Sequence, residues 1–377
     1  KSSETQPWNA YLDPSPGRSK ARSLAIVWRC SFDAEVAWIR LPLDVAHIST
    51  RLNRPRPQLI LNLIKKPYII VSLAAIGLTM IAISCGGKGA STDGDIASSA
   101  TVRVVASMYP LEYFTDQIGG DRVQVDGVVP SGGDAHDFEP TPGDLRKIAG
   151  ADVIVYNGLG FESWIDALLD AGDAPNTAVQ ASSSSVAMHF DSNGIATESD
   201  DDLDPHMWLD PVLAITQVRA ITEGLIKADS EGRAVYLANS DALVERLAAL
   251  DGRFAEGLGS CSRDTFITSH DSFNYMAARY GVNAIGISGI NPESEPSPRA
   301  LADLSNLVSD SGIRYVLVSP IDSERLSDTL ARETGVESLP LHSLQNLTRD
   351  QKDSGETYFS LMEQNLASLV TALGCDQ

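Results

Sequence analysis

Leu243, Leu247, Leu250, Phe254 and Leu258 recur at intervals of three or four residues, the spacing of one helix face. Asp229-Ser230 supplies the helix start ahead of them, since short polar side chains accept the first free amides of a helix. Together these signals predict a helix of about 28 residues, roughly 42 Å long. A rod of that length reaches along two lobes, and no flexible Gly/Pro linker accompanies it. The rest of the folded chain therefore has to be arranged on a stiff connection.

Either side of that helix, short runs of β-branched and apolar residues alternate with helical segments. Before it come strands at 101–106, 123–129 and 151–156, with helices at 109–118 and 162–169 and one that opens at Asp210-Pro211 and runs to about Ala228. After it come strands at 264–269, 282–287, 315–318 and 337–341, with helices at 298–309, 323–334 and 356–373, and a further helix opening at Asp271-Ser272. Strand–helix alternation implies parallel sheets. The expected fold class is α/β: two (β/α) lobes, 101–229 and 259–377, joined by the rigid helix 230–258. A chain of 377 residues with 43% hydrophobic content has room for both cores.

The head of the chain differs from this body. Residues 1–85 carry 11 Lys/Arg against 5 Asp/Glu, and the remainder carries a net charge of −27. An acidic body repels phosphate backbones and attracts cations, which argues against a nucleic acid partner. Lys65-Lys66 precede an apolar run from Pro67 to Ser84, followed by Cys85-Gly86-Gly87. A basic segment, an apolar stretch and small residues before a cysteine read as an export signal over 61–85. The cysteine placement resembles a bacterial lipobox, with Cys85 as the lipidated residue. Eighteen apolar residues are also near the minimum for a membrane span, which is the competing reading. Residues 86–100 read as a flexible tether, and 1–60 as an N-terminal extension of uncertain status. In an exported protein Cys261 and Cys375 form a candidate disulfide pinning the C-terminus, with two free thiols as the alternative.

Four of the five histidines in the body fall at loop or element-end positions: His136, His206, His270 and His342. His206 sits in Asp-Pro-His-Met-Trp-Leu-Asp-Pro, 204–211. His136 lies between a strand end and the helix start Thr141-Pro142-x-Asp144, where a hydroxyl cap, a proline and an acid fit the first turn. His270 and His342 follow strands directly, the edge at which open α/β sheets gather ligands. Compact zinc fingers and His-Glu-x-x-His enzymes space their ligands differently. The pattern suggests one metal site assembled in a cleft between the lobes. Neutral imidazoles suit zinc and other late divalent ions. Glu139, Asp204 and Asp271 are candidate carboxylates behind the rings. His189 and the acidic run 198–204 read either as a solvated loop or as a cation-collecting one.

The stretches Gly133–Asp144, Asp204–Pro211, Tyr236-x-x-Asn239, Thr268–Val282, Glu295–Pro298 and Tyr358–Leu369 together resemble the zinc/manganese solute-binding lipoproteins of ABC importers, of the ZnuA/TroA type. The resemblance covers about 101–373. It implies a metal-binding, non-enzymatic and monomeric receptor with limited lobe closure. Such a receptor sits outside the cytoplasm, lipid-anchored at the bacterial membrane in the periplasm or at the cell surface, and hands its metal to a membrane permease. The family's first three histidine ligands fall on His136, His206 and His270. Its fourth ligand is commonly an aspartate within Leu-Asp-Pro-Leu, and here that stretch reads Leu341-His342-Ser343-Leu344. A histidine there makes an all-nitrogen set, which points to Zn²⁺ with Mn²⁺ as the alternative. The rival readings are a zinc hydrolase, with Glu139 or Asp271 as base, and an adhesion lipoprotein using metal as a structural staple.

Overall fold

The computed structural model describes residues 101–376, apart from 173, 184–185, 191–195, 198–202, 293–295 and 323. The expected extension 1–60, export segment 61–85 with Cys85, and tether 86–100 lie outside the described residues.

The first lobe holds β1 (Val102–Ala106), α1 (Tyr109–Gly119), β2 (Val123–Gly127), α2 (Pro142–Ala149), β3 (Val153–Tyr156), α3 (Ile165–Ala171) and β4 (Thr177–Gln180). Its sheet runs β2-β1-β3-β4, all parallel. A two-stranded antiparallel ribbon, β5 (His189–Phe190) with β6 (Ala196–Thr197), follows. Next come α4 (Pro211–Ala228) and α5 (Arg233–Gly257). The second lobe holds β7 (Thr265–His270), α6 (Asn274–Tyr280), β8 (Asn283–Ser288), α7 (Pro298–Ser311), β9 (Tyr315–Val318), α8 (Glu324–Thr334), β10 (Glu337–Pro340), α9 (Arg349–Ser354) and α10 (Tyr358–Leu373). Its sheet runs β8-β7-β9-β10, again parallel.

The two sheets have the same topology. In each, the first strand lies inside and the strand order reverses between the first and third strands. That reversal opens a crevice at the strand C-termini: β1/β3 in one lobe and β7/β9 in the other. His270 is the last residue of β7, so it stands at the crevice of the second lobe. His136 follows β2 on the corresponding edge of the first.

The helix expected at 230–258 is α5, with a 3-10 turn at Ser230–Gly232 ahead of it. Its 25 residues span about 37 Å. Leu243, Leu247, Leu250 and Phe254 are buried along it with Tyr236 and Ser240, and Leu258 is buried just past its end. Asn239 donates to the Ile118 carbonyl and Arg246 to Gln117 and the Tyr113 hydroxyl, which fastens α5 to the first lobe. Arg253 pairs with Glu363, and the Tyr280 hydroxyl donates to Asp251, which fastens it to the second. One apolar core runs through both lobes along this helix, from Phe114 and Trp208 to Phe266 and Tyr358. Smaller clusters fill the outer sheet faces, one around Ile148 and Ile154, the other around Ile267 and Leu330.

The helix starts read from the sequence form as capped ends. Thr141 and Asp144 exchange hydrogen bonds at the start of α2, and Asp210 accepts from the Val212 and Leu213 amides at the start of α4. β4, the β5–β6 ribbon and α9 are not evident from the sequence pattern. The ribbon strands are two residues long and β4 is four, too short to show a period. α9 buries none of its side chains and so has no apolar stripe. Among the described residues, no helix is long and apolar enough to cross a membrane.

Cys261 and Cys375 form a disulfide across 114 residues of chain. It closes the start of β7 onto the end of α10, where Ser262 and Arg263 donate to the Gly374 and Leu373 carbonyls. A loop of that size restricts the unfolded chain by up to about 4.7 kcal/mol, with typical measured gains of about 2–4 kcal/mol. The Cys261→Ser/Cys375→Ser variant should therefore unfold roughly 5–15 °C lower by calorimetry. An unchanged midpoint would mean the C-terminal segment is held by its hydrogen bonds alone.

Candidate metal centre

Three of the four histidines singled out by position converge. The candidate ligand atoms of His136, His206 and His270 all lie within 4.8 Å of one another, the one such group among the described residues. His206 and His270 are fully buried and His136 is partly exposed, so the group opens on the His136 side.

Each ring is set by its own local chain. His206 is oriented by Asp204, whose Oδ1 accepts from the His206 amide at 2.9 Å and lies 2.8 Å from His206 Nδ1. The flanking backbone is held as well: Asn157 Nδ2 donates to the Pro205 carbonyl, and the Tyr275 hydroxyl to that of Asp204. Asn274 completes the support by donating to Asp204 Oδ2. His270 Nδ1 lies 2.7 Å from Asp322 Oδ2, an oxygen that also accepts from Ser269. Hydrogen on Nδ1 leaves the Nε2 lone pair of each ring free for a ligand. His270 Nε2 is buried with no hydrogen-bond partner. His136 is carried by an Asx turn, its amide donating to Asp134 Oδ1 at 2.8 Å.

His136 Nε2 and His206 Nε2 are 3.1 Å apart. Ligand nitrogens of a tetrahedral zinc site, at about 2.0–2.1 Å from the ion, stand about 3.3 Å from each other. The pair is thus already close to the separation that one ion would impose. Phe161 packs 4.4 Å from the His136 ring and Trp208 5.1 Å from the His206 ring, centroid to centroid. This apolar wall strengthens electrostatics inside the group.

Burial and the two neighbouring imidazoles hold His136 down to about 2. Burial, then His270, keeps His206 well below the usual imidazole value. His270 goes the other way. Burial alone would lower it, but Asp322, with Asp134 and Asp271, outweighs that and raises it. Asp322 is correspondingly held low, because His270 and hydrogen bonds from His270, Ser269 and Ser319 overcome its burial. Burial pushes Asp204 up to about 7, against the pull of the His206 amide and the Asn274 side chain. Two imidazoles are therefore ready as neutral ligands, and a cation would restore full charge to Asp204, the carboxylate behind His206.

His342 is not brought to this group. Although it follows β10 at the same sheet edge, Asn365 clasps its backbone, accepting from its amide and donating to its carbonyl. Its Nδ1 lies 2.9 Å from Gln351 Nε2, turning the ring toward α9 and α10. Of the three candidate carboxylates, Asp204 backs a ring of the group. Glu139 is exposed, and Asp271 Oδ1 accepts from the Gly286 amide. Asp322 was missed because it lies 52 residues from His270 in sequence with no histidine beside it. The one available signal was an acid following a strand, β9, in the same lobe. His189 Nδ1 is buried without a partner in the β5–β6 ribbon.

A family model described as zinc-uptake complex component A, periplasmic, matches residues 104–372. The chain belongs to that family. It is 33% identical over 314 residues to zinc-binding lipoprotein AdcA of Streptococcus pneumoniae serotype 4, covering 81% of this chain and 60% of AdcA. The chain thus spans about 60% of the length of that relative. It is 33% identical over 302 residues to the high-affinity zinc uptake system protein ZnuA of Bacillus subtilis, covering 78% of this chain and 94% of ZnuA. Among solved structures, the Zn(II)-bound ZnuA-like domain of Streptococcus pneumoniae AdcA is similar at TM-score 0.62 and 33% identity. That match covers 73% of this chain and 99% of the domain.

The depressed His136 fixes the sign of one pH effect in the metal-free protein. Between about 2 and the unfolded value of about 6.5, the unfolded chain binds the proton and the native ring does not. The His136 contribution to stability is complete above about 6.5 and falls as the solution is acidified below it. Stability of the metal-free protein minus that of His136→Asn should drop by at most about 1.4 kcal/mol per pH unit from 6.5 to 4.5. Urea unfolding with chelator present measures this. A difference independent of pH would mean that the ring titrates normally in the native state.

Proposed function

We propose that this chain is the extracytoplasmic receptor of a metal importer. It captures Zn²⁺ between its lobes on the Nε2 atoms of His136, His206 and His270 and delivers it to an ABC permease in the membrane. The observation that carries this reading is the convergence of three imidazoles, two of them buried with a carboxylate on the opposite nitrogen. The names of the relatives, a zinc-binding lipoprotein and a zinc uptake protein, point the same way. Three neutral nitrogens suit a borderline ion such as zinc better than manganese, which prefers oxygen. In the same reading Asp204 and Asp322 fix the tautomers of His206 and His270, and the fourth position on the ion is left to solvent or a small ligand. The anchor is proposed at Cys85, with the acidic body held outside the cytoplasm.

An open fourth position is also what a zinc hydrolase requires. Such an enzyme needs a general base beside the bound water. Of the two bases suggested by sequence, Glu139 is exposed and Asp271 is engaged with the Gly286 amide. Capture and release without bond-breaking is the reading supported by family membership.

Calorimetric titration of the metal-stripped protein tests this reading. Zn²⁺ should bind at a single tight equivalent and Mn²⁺ more weakly. His206→Ala should weaken zinc roughly 100-fold or more, about 2.7 kcal/mol, while the variant stays folded. His342→Ala should bind as the parent does. Tighter binding of Mn²⁺, or normal zinc binding by His206→Ala, would refute the assignment.

A further inference from the structure

We infer that Asn346 is a positioning residue for His136, acting across the interlobe boundary. This rests on the metal-receptor reading above and extends it to a residue with no chemistry of its own at the ion.

After β10 the chain belongs by sequence to the second lobe, yet residues 341–347 are buried throughout, and 343–347 bond to the first lobe. The Ser343 carbonyl accepts from Trp208 Nε1, and the Gln345 carbonyl from the Tyr109 amide. The remaining bonds go to 130–135, the loop that ends in His136. Leu347 accepts from the Gly132 amide at 2.8 Å. Gln345 Oε1 accepts from the Ala135 amide at 3.3 Å. Asn346 Nδ2 donates to the Pro130 and Gly133 carbonyls at 2.7 and 2.9 Å.

Those two carbonyls bracket a tight turn. The Gly133 amide donates back to Pro130 at 2.9 Å, and Gly132 inside the turn has φ +82°, a conformation suited to glycine. One amide therefore staples both ends of the turn. Asn346 Oδ1 accepts from the Leu347 amide, which fixes which way the amide group faces. From the turn to the ligand every step is tied: Gly132 by Leu347, Gly133 by Asn346, Ala135 by Gln345, and His136 to Asp134. To present these groups, Leu344 adopts φ +55° with its side chain buried, a conformation that costs a non-glycine residue energy. His206 and His270 each have a carboxylate on Nδ1, whereas the restraint on His136 runs through its main chain to this strap.

Asn346→Asp keeps the shape but sets a carboxylate against two carbonyl oxygens, and Asn346→Ala removes the donors without adding charge. Zinc affinity of each is measured by competition with a chromophoric chelator, in the parent and in a His136→Ala background. Both should weaken zinc roughly 10- to 100-fold in the parent, the range for residues that orient ligands. Neither should weaken it further once His136 is gone, because neighbours acting through one group are not additive. With Co²⁺ as the probe, the visible band of the parent should change in intensity in both Asn346 variants, reporting a loosened ligand. Parent-like affinity and spectrum, or the same loss in both backgrounds, would show that Asn346 serves the fold generally and would overturn the inference. A parent protein that binds neither Zn²⁺ nor Co²⁺ would instead overturn the receptor reading itself.

Discussion

Two imidazole nitrogens face each other at 3.1 Å, His136 Nε2 and His206 Nε2, beside the rings of Phe161 and Trp208. A pair of neutral rings can share only one proton between those atoms, and two charged rings would repel across a low-dielectric gap. Burial, with repulsion from neighbouring imidazoles, keeps both rings uncharged, so in the metal-free protein one N–H···N hydrogen bond joins them. A divalent cation would displace that proton and take both lone pairs at once. The third nitrogen, on His270, is buried and has no hydrogen-bond partner. Much of the surrounding structure serves to hold these three groups in a position they would not choose in water.

The fold meets that demand by duplicating one topology. Each lobe brings a histidine to the C-terminal edge of a parallel sheet, and α5 fixes the distance between the lobes through cores and polar ties on both. Further links cross near the site: Arg279 with Asp210 at the start of α4, Asn274 and Tyr275 with Asp204, and the 343–347 strap with the His136 loop. Much of the scaffold around the ligands is therefore shared between lobes. Such an arrangement favours small adjustments on metal capture over a wide hinge motion, as a stiff helical connection would suggest.

The sequence disclosed the main features because they are local. Alternating apolar runs announced the two sheets, and a three-and-four repeat announced α5. His136, His206 and His270 stood out because histidine is scarce in the body and these sit at element ends. What it could not disclose depends on tertiary direction. Asp322 meets His270 only after β9 is laid beside β7 in the sheet. His342 has the right place in the chain and the right edge of the sheet, yet Asn365 and Gln351 draw it away. The residues following it turn through a left-handed Leu344, which no propensity rule would have assigned to leucine. A ligand's neighbourhood follows from backbone direction at one or two residues, and sequence spacing says little about that.

X-ray absorption at the zinc edge of the zinc-loaded protein reads the composition of the ligand shell. The three-histidine assignment requires three imidazole nitrogens at about 2.0–2.1 Å and one further light-atom donor. The signature of three rings should fall to two in His136→Ala and stay at three in His342→Ala. A shell of four imidazoles, with one lost in His342→Ala, or one dominated by carboxylate oxygen, would contradict it.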